Sequence, residues 1–219
     1  MLERFGTCIQ WGLILAMAAA AWWAWQSLPP GAVVPVHFNA AGEADGWMAA
    51  APGLFFMPLL AVAMMGLQWL LPRIDPRGHN LQRSGHAVAT VWVATTAVLA
   101  AAQGHLVLRA MGLGGPAPQL PLLLVGGLFM AVGNVLGKLR ANFTVGIRTP
   151  WTLANERVWD QTHRFGGKAF VIAGGGLLLL SMSSPPAHWQ GPAIVTAALV
   201  AAGLAVLKSY WLWRQQRDA

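Results

Sequence analysis

Six apolar runs, at residues 9–28, 53–71, 87–108, 120–137, 165–184 and 193–213, alternate with polar connections along the chain. Each is close to the roughly 20 residues that an α-helix needs to cross the hydrocarbon core of a bilayer. The pattern predicts an all-α fold: a polytopic membrane bundle of about six transmembrane helices. The first run continues through Trp22, Trp23 and Trp25, past the small residues Ala18 and Ala20 that a cleavage site would use, and reads as an anchored span rather than a removed leader. Pro72 closes the second run. Gln103 and His105 fall near the far end of the third and are expected to meet headgroups or water. Asn134, inside the fourth, is costly in lipid unless paired and is expected to bond another helix or the backbone around Gly146. Lys168 opens the fifth run and can snorkel, and Gly174, Gly175 and Gly176 permit a close helix approach. No internal repeat is visible, so an inverted-repeat transporter gains no support.

Composition removes the soluble alternatives. The chain is 56% hydrophobic and 10% charged, against the roughly 25% charged residues of soluble domains. Twelve tryptophans against one tyrosine suit a membrane-water interface. One cysteine, Cys8, excludes an internal disulfide; no Cys/His cluster has zinc spacing, and neither cofactor nor metal is expected. A net charge of +7 would point to nucleic acid in a soluble protein, but its distribution gives another reading. With six spans, every Lys and Arg except Arg109 falls on one side: Arg4, then Arg73, Arg77 and Arg83, then Lys138 through Lys168, then Lys208, Arg214 and Arg217. The positive-inside rule puts that side, with both termini, in the cytoplasm and leaves His37, Asn39, Glu43 and Asp45 facing out. The bilayer itself accounts for the positive charge, and no direct nucleic-acid contact is expected.

Two connections are chemically dense. Residues 29–52 read as an outward loop holding Pro35, His37, Asn39, Gly42 and Asp45, with a turn between Asn39 and Gly42, where glycine can take positive φ. Residues 142–167 form the longest polar segment. Pro150 lacks a backbone donor and biases Thr149 toward extended geometry, so Gly146-Ile-Arg148-Thr149-Pro150 reads as a fixed turn, with Thr152 or Asn155 capping a short helix. Val158, Trp159, Thr162 and Phe165 share one face of that helix. The pattern predicts a short cytoplasmic amphipathic helix between spans four and five, lying on the inner membrane surface, with Trp159 and Phe165 down and Arg157 and Arg164 reaching headgroups or a partner. Asp160 and Arg164, four apart, predict a helical ion pair of ~0.3–0.5 kcal/mol. The candidate binding or signalling residues on this side are Asn134, Asn142, Gly146, Arg148, Thr149, Pro150, Trp151, Thr152, Trp159, Thr162, His163 and Arg164. His163 is a candidate ligand or proton carrier, set against the plainer role of a hydrogen-bonding residue.

These residues carry a resemblance. Gly133-Asn134, Lys138, Asn142, Gly146-Ile-Arg-Thr-Pro-Trp-Thr-Leu153, Val158-Trp159, Thr162-His163-Arg164 and Gly166-Gly167 together resemble the SdpI-like family of small bacterial membrane proteins. Pro35-Val-His37-Phe-Asn39 with Gly42 and Asp45 is similar to the N-terminal domain of unknown function commonly joined to that family. The resemblance implies two parts: residues 1–75 with spans one and two and the outward loop, and residues 76–219 with spans three to six and the cytoplasmic segment. It implies a protein of the bacterial cytoplasmic membrane that confers immunity to a secreted, membrane-active toxic peptide and signals by capturing a small cytoplasmic transcriptional repressor.

Two other function classes compete with this one. A membrane-embedded enzyme acting on lipid or peptide would need a nucleophile-and-base set or a metal motif, yet no span carries Asp or Glu and no His-x-x-x-His or His-Glu-x-x-His spacing occurs. A small transporter would place ionisable groups along a path through the spans, where only Asn134, Gln68, Gln103 and His105 come near that description. The expectation is a non-enzymatic binding and signalling protein.

Overall fold

The computed structural model describes residues 2–39 and 41–217. The side chains of residues 2–4 and 217 lie outside that description, and with them the Arg4 and Arg217 charges assigned above. The elements run α1 (Leu2–Ser27), β1 (Val33–Phe38), β2 (Ala44–Ala49), α2 (Ala50–Ile74), α3 (Gly78–Arg83), α4 (Gly85–Ala110), α5 (Leu120–Leu136), α6 (Pro150–Ala154), α7 (Glu156–Met182) and α8 (Ala187–Arg217). Five of these helices, α1, α2, α4, α7 and α8, are long and apolar enough to cross a membrane. The sixth, α5, has 17 residues and spans about 26 Å, near the lower limit for a crossing. Large apolar side chains such as Leu59, Ile172, Leu179, Leu199 and Leu207 point outward, as they must where the solvent is lipid. The molecule is a helical membrane bundle.

Among the described residues, close packing holds it together in three buried apolar clusters, one of them the contact of Ile14 and Met17 of α1 with Ala61 of α2. Beneath the hairpin, Ala21 and Ala24 of α1, Val34 of β1, Leu54 of α2, and Leu106 and Val107 of α4 form one core. At the opposite end Ala87, Val135, Leu136, Leu139, Ala141 and Trp159 join α4, α5 and α7. Between α5 and α7 the backbones touch through glycine. A Cβ on Gly133 would lie 2.7 Å from the carbonyl oxygen of Gly167, and one on Gly174 would lie 2.6 Å from that of Gly126. Gly126 and Gly133, like Gly167 and Gly174, are seven residues apart, so each pair lies on one helix face two turns apart. Of the Gly174 run only its first member makes a close approach; Gly175 and Gly176 face open space.

Four local expectations are corrected. The outward loop is a two-stranded antiparallel hairpin, β1 against β2, irregular around His37; it forms because Val34 and Val36 pack against Gly53 of α2 and Phe38 against His105 of α4. The segment expected to lie on the membrane surface is the first part of α7, which runs unbroken from Glu156 into the fifth span. Trp159 is fully buried in protein rather than set among headgroups; only α6 is a separate short helix. Gln103 does not reach headgroups: it is buried, and its Nε2 donates to the Leu54 carbonyl across to α2 at 2.9 Å. Asn134 bonds neither another helix nor the Gly146 turn; its side chain is exposed on α5, with no hydrogen bond among the described residues.

Candidate functional site

The polar residues singled out by sequence converge on the end of the bundle that carries residues 75–84 and 137–155, here termed the basic end. Asn142 organises it. Fully buried, it accepts from the backbone of Thr144 and Val145 at 2.8 and 2.6 Å through Oδ1 and donates to the carbonyls of Arg140 and Val145 at 2.9 and 3.0 Å through Nδ2. One amide thus satisfies a reversal that no regular element could, with all its hydrogen-bonding capacity used. The chain then passes Gly146 at φ 121°. A Cβ there would strike His163 Nε2 and the Trp159 ring, so both the backbone angle and the space require glycine.

His163 closes the turn from α7. Its Nε2 accepts from the Ile147 N–H at 2.9 Å while Nδ1 faces the Trp159 carbonyl at 2.8 Å. Only the neutral Nδ1–H tautomer satisfies both, which makes His163 a fixed strut between turn and helix rather than a free ligand. Trp159 stacks on it at 3.9 Å and donates its indole N–H to the Leu139 carbonyl at 2.7 Å. Thr162, also fully buried, leaves its hydroxyl oxygen without a partner among the described residues.

The next turn continues the same logic. Thr149 caps α6 and Thr152, at the third helical position, returns the bond, a reciprocal capping box with Pro150 as first helical residue. Thr152 is therefore the partner of the cap rather than the cap, and it also donates to the Ile147 carbonyl at 2.8 Å. Asn155 caps α7 and donates to Gln216 at 2.7 Å. Trp151 ties the segment to α8, donating to Ser209 Oγ at 2.5 Å and packing on Tyr210 and Trp213 at 5.4 and 6.0 Å. Arg148 is exposed, with one nitrogen donating to the Phe143 carbonyl at 2.8 Å. Arg157 and Arg164 are exposed as well.

Several residues of this network escape a reading of the sequence. Asp75, at the end of α2, accepts from the backbone of Arg77 and Phe143 at 2.7 and 2.9 Å and from the Thr144 hydroxyl at 2.5 Å. Asn80 donates to the Ala141 carbonyl at 2.7 Å; Ser84 accepts from the Arg140 N–H at 2.9 Å. Arg77 donates to the Leu153 carbonyl at 3.1 Å and lies over the Phe143 ring at 5.2 Å. The connection after α2 is thus a clamp on the segment after α5. The only available signal was an acid in a basic loop that carries no other, Asp75 among Arg73, Arg77 and Arg83.

The opposite, hairpin end gathers the second group. His37 and Asp45 pair across the strands at 2.5 Å, both solvent-exposed. Asn39 Oδ1 accepts from the backbone of Ala41 and Glu43 at 2.9 and 3.0 Å, holding the reversal. Gly42, at φ 76°, lies against the backbone of Ala117 and Pro118. Pro35 is buried opposite Trp47. Phe38 packs on His105 at 5.0 Å, and Arg109 lies 5.9 Å over the Phe38 ring. The two groups of candidate residues lie at opposite ends of the helices, and no side chain of one reaches the other. Among the described residues no cluster of His, Cys, Asp and Glu could hold a metal ion.

Fold and polar ends define a multi-pass membrane protein with a hydrogen-bonded platform folded over one end of its bundle. Residues 138–209 match the model of the SdpI/YfhL protein family, and residues 12–62 match a domain of unknown function, DUF1648. The platform from Lys138 through α6 and α7 to Ser209 falls within the first match, while the larger, second part of α1, the hairpin and the first half of α2 fall within the second. The DUF1648 match thus precedes the SdpI/YfhL match along the chain, and neither covers half of it. It is 30% identical over 90 residues to the immunity protein SdpI of Bacillus subtilis (strain 168), an alignment covering 41% of this chain and 42% of that protein. No solved structure matches.

Proposed function

We propose that this chain is a non-enzymatic immunity and signalling protein of the bacterial cytoplasmic membrane. In this reading it protects the cell against a secreted, membrane-active peptide met at the hairpin end, and recruits a small soluble repressor at the basic end. The similarity to an immunity protein carries the reading. The geometry supports it in one respect: Asn142, Gly146 and His163 are spent on holding a surface in shape, which leaves Arg148 and Arg157 displayed on a rigid frame. A planar guanidinium so presented suits an acidic partner. The basic end faces the cytoplasm in this reading, and residues 1–75 and 76–219 form its sensing and signalling parts.

The test is survival of a sensitive bacterium expressing the protein, challenged with the small secreted peptides encoded near its gene. Protection is the expected outcome, with Arg157→Glu lowering co-purification of the soluble partner while protein level stays normal. His37→Ala and Asp45→Ala should change protection and leave the partner's docking surface in place. Absence of protection against every such peptide, at normal expression, overturns the reading.

A further inference from the structure

A polar cleft of about 300 Å³ opens at the basic end between the chain leaving α5 and the first turns of α7. Lys138, Arg140 and Arg164 line it together with Glu156 and Asp160. All five side chains are exposed, and none takes part in an ion pair among the described residues, where the only such pair is His37 with Asp45. The helical pair expected between Asp160 and Arg164 is not formed. The stem of Arg164 lies along the end of α5 instead, close enough that a Cβ on Gly137 would stand 3.1 Å from its Cγ. Opposite charges one helical turn apart attract one another; here both signs line one cleft and stay apart.

The order of the charges is informative. Glu156, Asp160 and Arg164 occupy successive turns of one face of α7, about 6 Å apart along the axis. Beyond Arg164 the same face carries Lys168 one turn further, whose long stem can snorkel, and the helix is otherwise apolar with Phe165, Ala169 and Phe170, at the level where the apolar run of α5 ends beside Gly137. Arg164 and Lys138 therefore stand at the edge of the hydrocarbon, with the two carboxylates further into water. A ligand that fits carries its anion next to an acyl-bearing backbone and a cation further out. That is the covalent order of phosphoethanolamine on a glycerolipid.

We propose that this cleft binds the headgroup of phosphatidylethanolamine from the adjoining leaflet, with Lys138 and Arg164 taking the phosphate and Asp160 and Glu156 the ammonium. Arg140 completes the cationic wall. An ammonium carries three N–H donors that a carboxylate can accept and a quaternary ammonium lacks; a glycerol headgroup offers the carboxylates neutral hydroxyl donors but no positive charge, and charge-assisted bonds are the stronger ones.

Native mass spectrometry of the detergent-solubilised protein, titrated separately with phosphatidylethanolamine, phosphatidylcholine and phosphatidylglycerol of identical acyl chains, tests this. The expected result is a preference of about tenfold for phosphatidylethanolamine over both others, the size of one net charge-assisted hydrogen bond. The double variant Glu156→Gln/Asp160→Asn should bind phosphatidylethanolamine no better than phosphatidylglycerol, and Lys138→Gln/Arg164→Gln should bind all three about tenfold more weakly. Phosphatidylglycerol equal to or better than phosphatidylethanolamine on the unaltered protein would show a plain basic patch and sink the proposal. So would a preference that survives loss of both carboxylates, or soluble phosphoethanolamine displacing the lipid at equal concentration, which would assign the cleft to a free solute. The comparison on the unaltered protein decides even where a variant fails to fold.

Discussion

Asp75 shows what single residues do at the basic end. Its carboxylate, 9% exposed, accepts three hydrogen bonds, two of them from the segment that follows α5. Bonds to a charged acceptor are each worth about 1.5–3 kcal/mol net, and deletion also leaves the Phe143 N–H without its acceptor. Asp75→Ala is therefore expected to destabilise the protein by roughly 2–4 kcal/mol, read as a lower midpoint of thermal unfolding in detergent with cleavage by added protease moving to residues 137–155. An unchanged midpoint would mean that the clamp carries no weight. At this scale the sequence was partly legible. Gly146, Thr149 and Pro150 announce a fixed turn because each restricts the backbone by itself. Asp75, Asn80 and Ser84 do not, because their partners are more than 50 residues away in the chain and nothing local marks a residue for a long-range bond. Asn134 misled for the converse reason: a polar side chain needs a protein partner deep in a span, whereas Asn134 stands only two residues from the end of α5, at the bundle's basic end.

Among the elements, hydropathy located every spanning helix but not the ends. Helices α1, α7 and α8 extend beyond their apolar runs into polar residues, because satisfying backbone groups within the helix remains favourable after the hydrocarbon stops. The start of α7 is fixed by Asn155, whose Oδ1 accepts from the Arg157 and Val158 N–H groups, and no proline interrupts it before Met182. What read as a separate surface helix is thus the foot of a span. The hairpin stayed hidden because Pro35 and Gly46 break the strand pattern, and its register is irregular just there. The α5–α7 contact offers the clearest test of an element pair. Gly133→Val or Gly167→Val would force apart backbones that lie within a missing side chain of one another, and overpacking of this kind costs about 1–3 kcal/mol. Gly175→Ala and Gly176→Ala enter open space and should stay within about 0.5 kcal/mol or slightly stabilise the helix. Yield of folded protein and its unfolding temperature, measured across the four variants, separate the two pairs. Equal effects would show that the helices do not meet through their glycines.

For the whole molecule, the distribution of charge makes a prediction that packing cannot. The bundle could sit in a bilayer either way up on apolar grounds alone. Its Lys and Arg residues, however, gather at the basic end, where Arg73, Arg77, Lys138, Arg148 and Arg157 surround the platform, while the hairpin end holds Arg109 beneath the Phe38 ring. Each such residue retained beside a span biases insertion toward the cytoplasm, so the platform should face inward and the hairpin outward. With Cys8 replaced, single cysteines at positions 43, 79 and 157 report this directly, since Glu43, His79 and Arg157 are all exposed. A membrane-impermeant thiol reagent applied to intact cells should label position 43 and reach positions 79 and 157 only after permeabilisation. The pattern depends on an odd number of crossings between hairpin and platform: α2 through the bilayer, then α4 out and α5 back. Position 79 tests the first of these crossings and position 157 the remaining two. With position 43 labelled, external labelling at both 79 and 157 would mean that α2 does not cross, whereas labelling at both with position 43 protected would invert the bundle. The external peptide and the internal partner could then no longer meet the ends assigned to them.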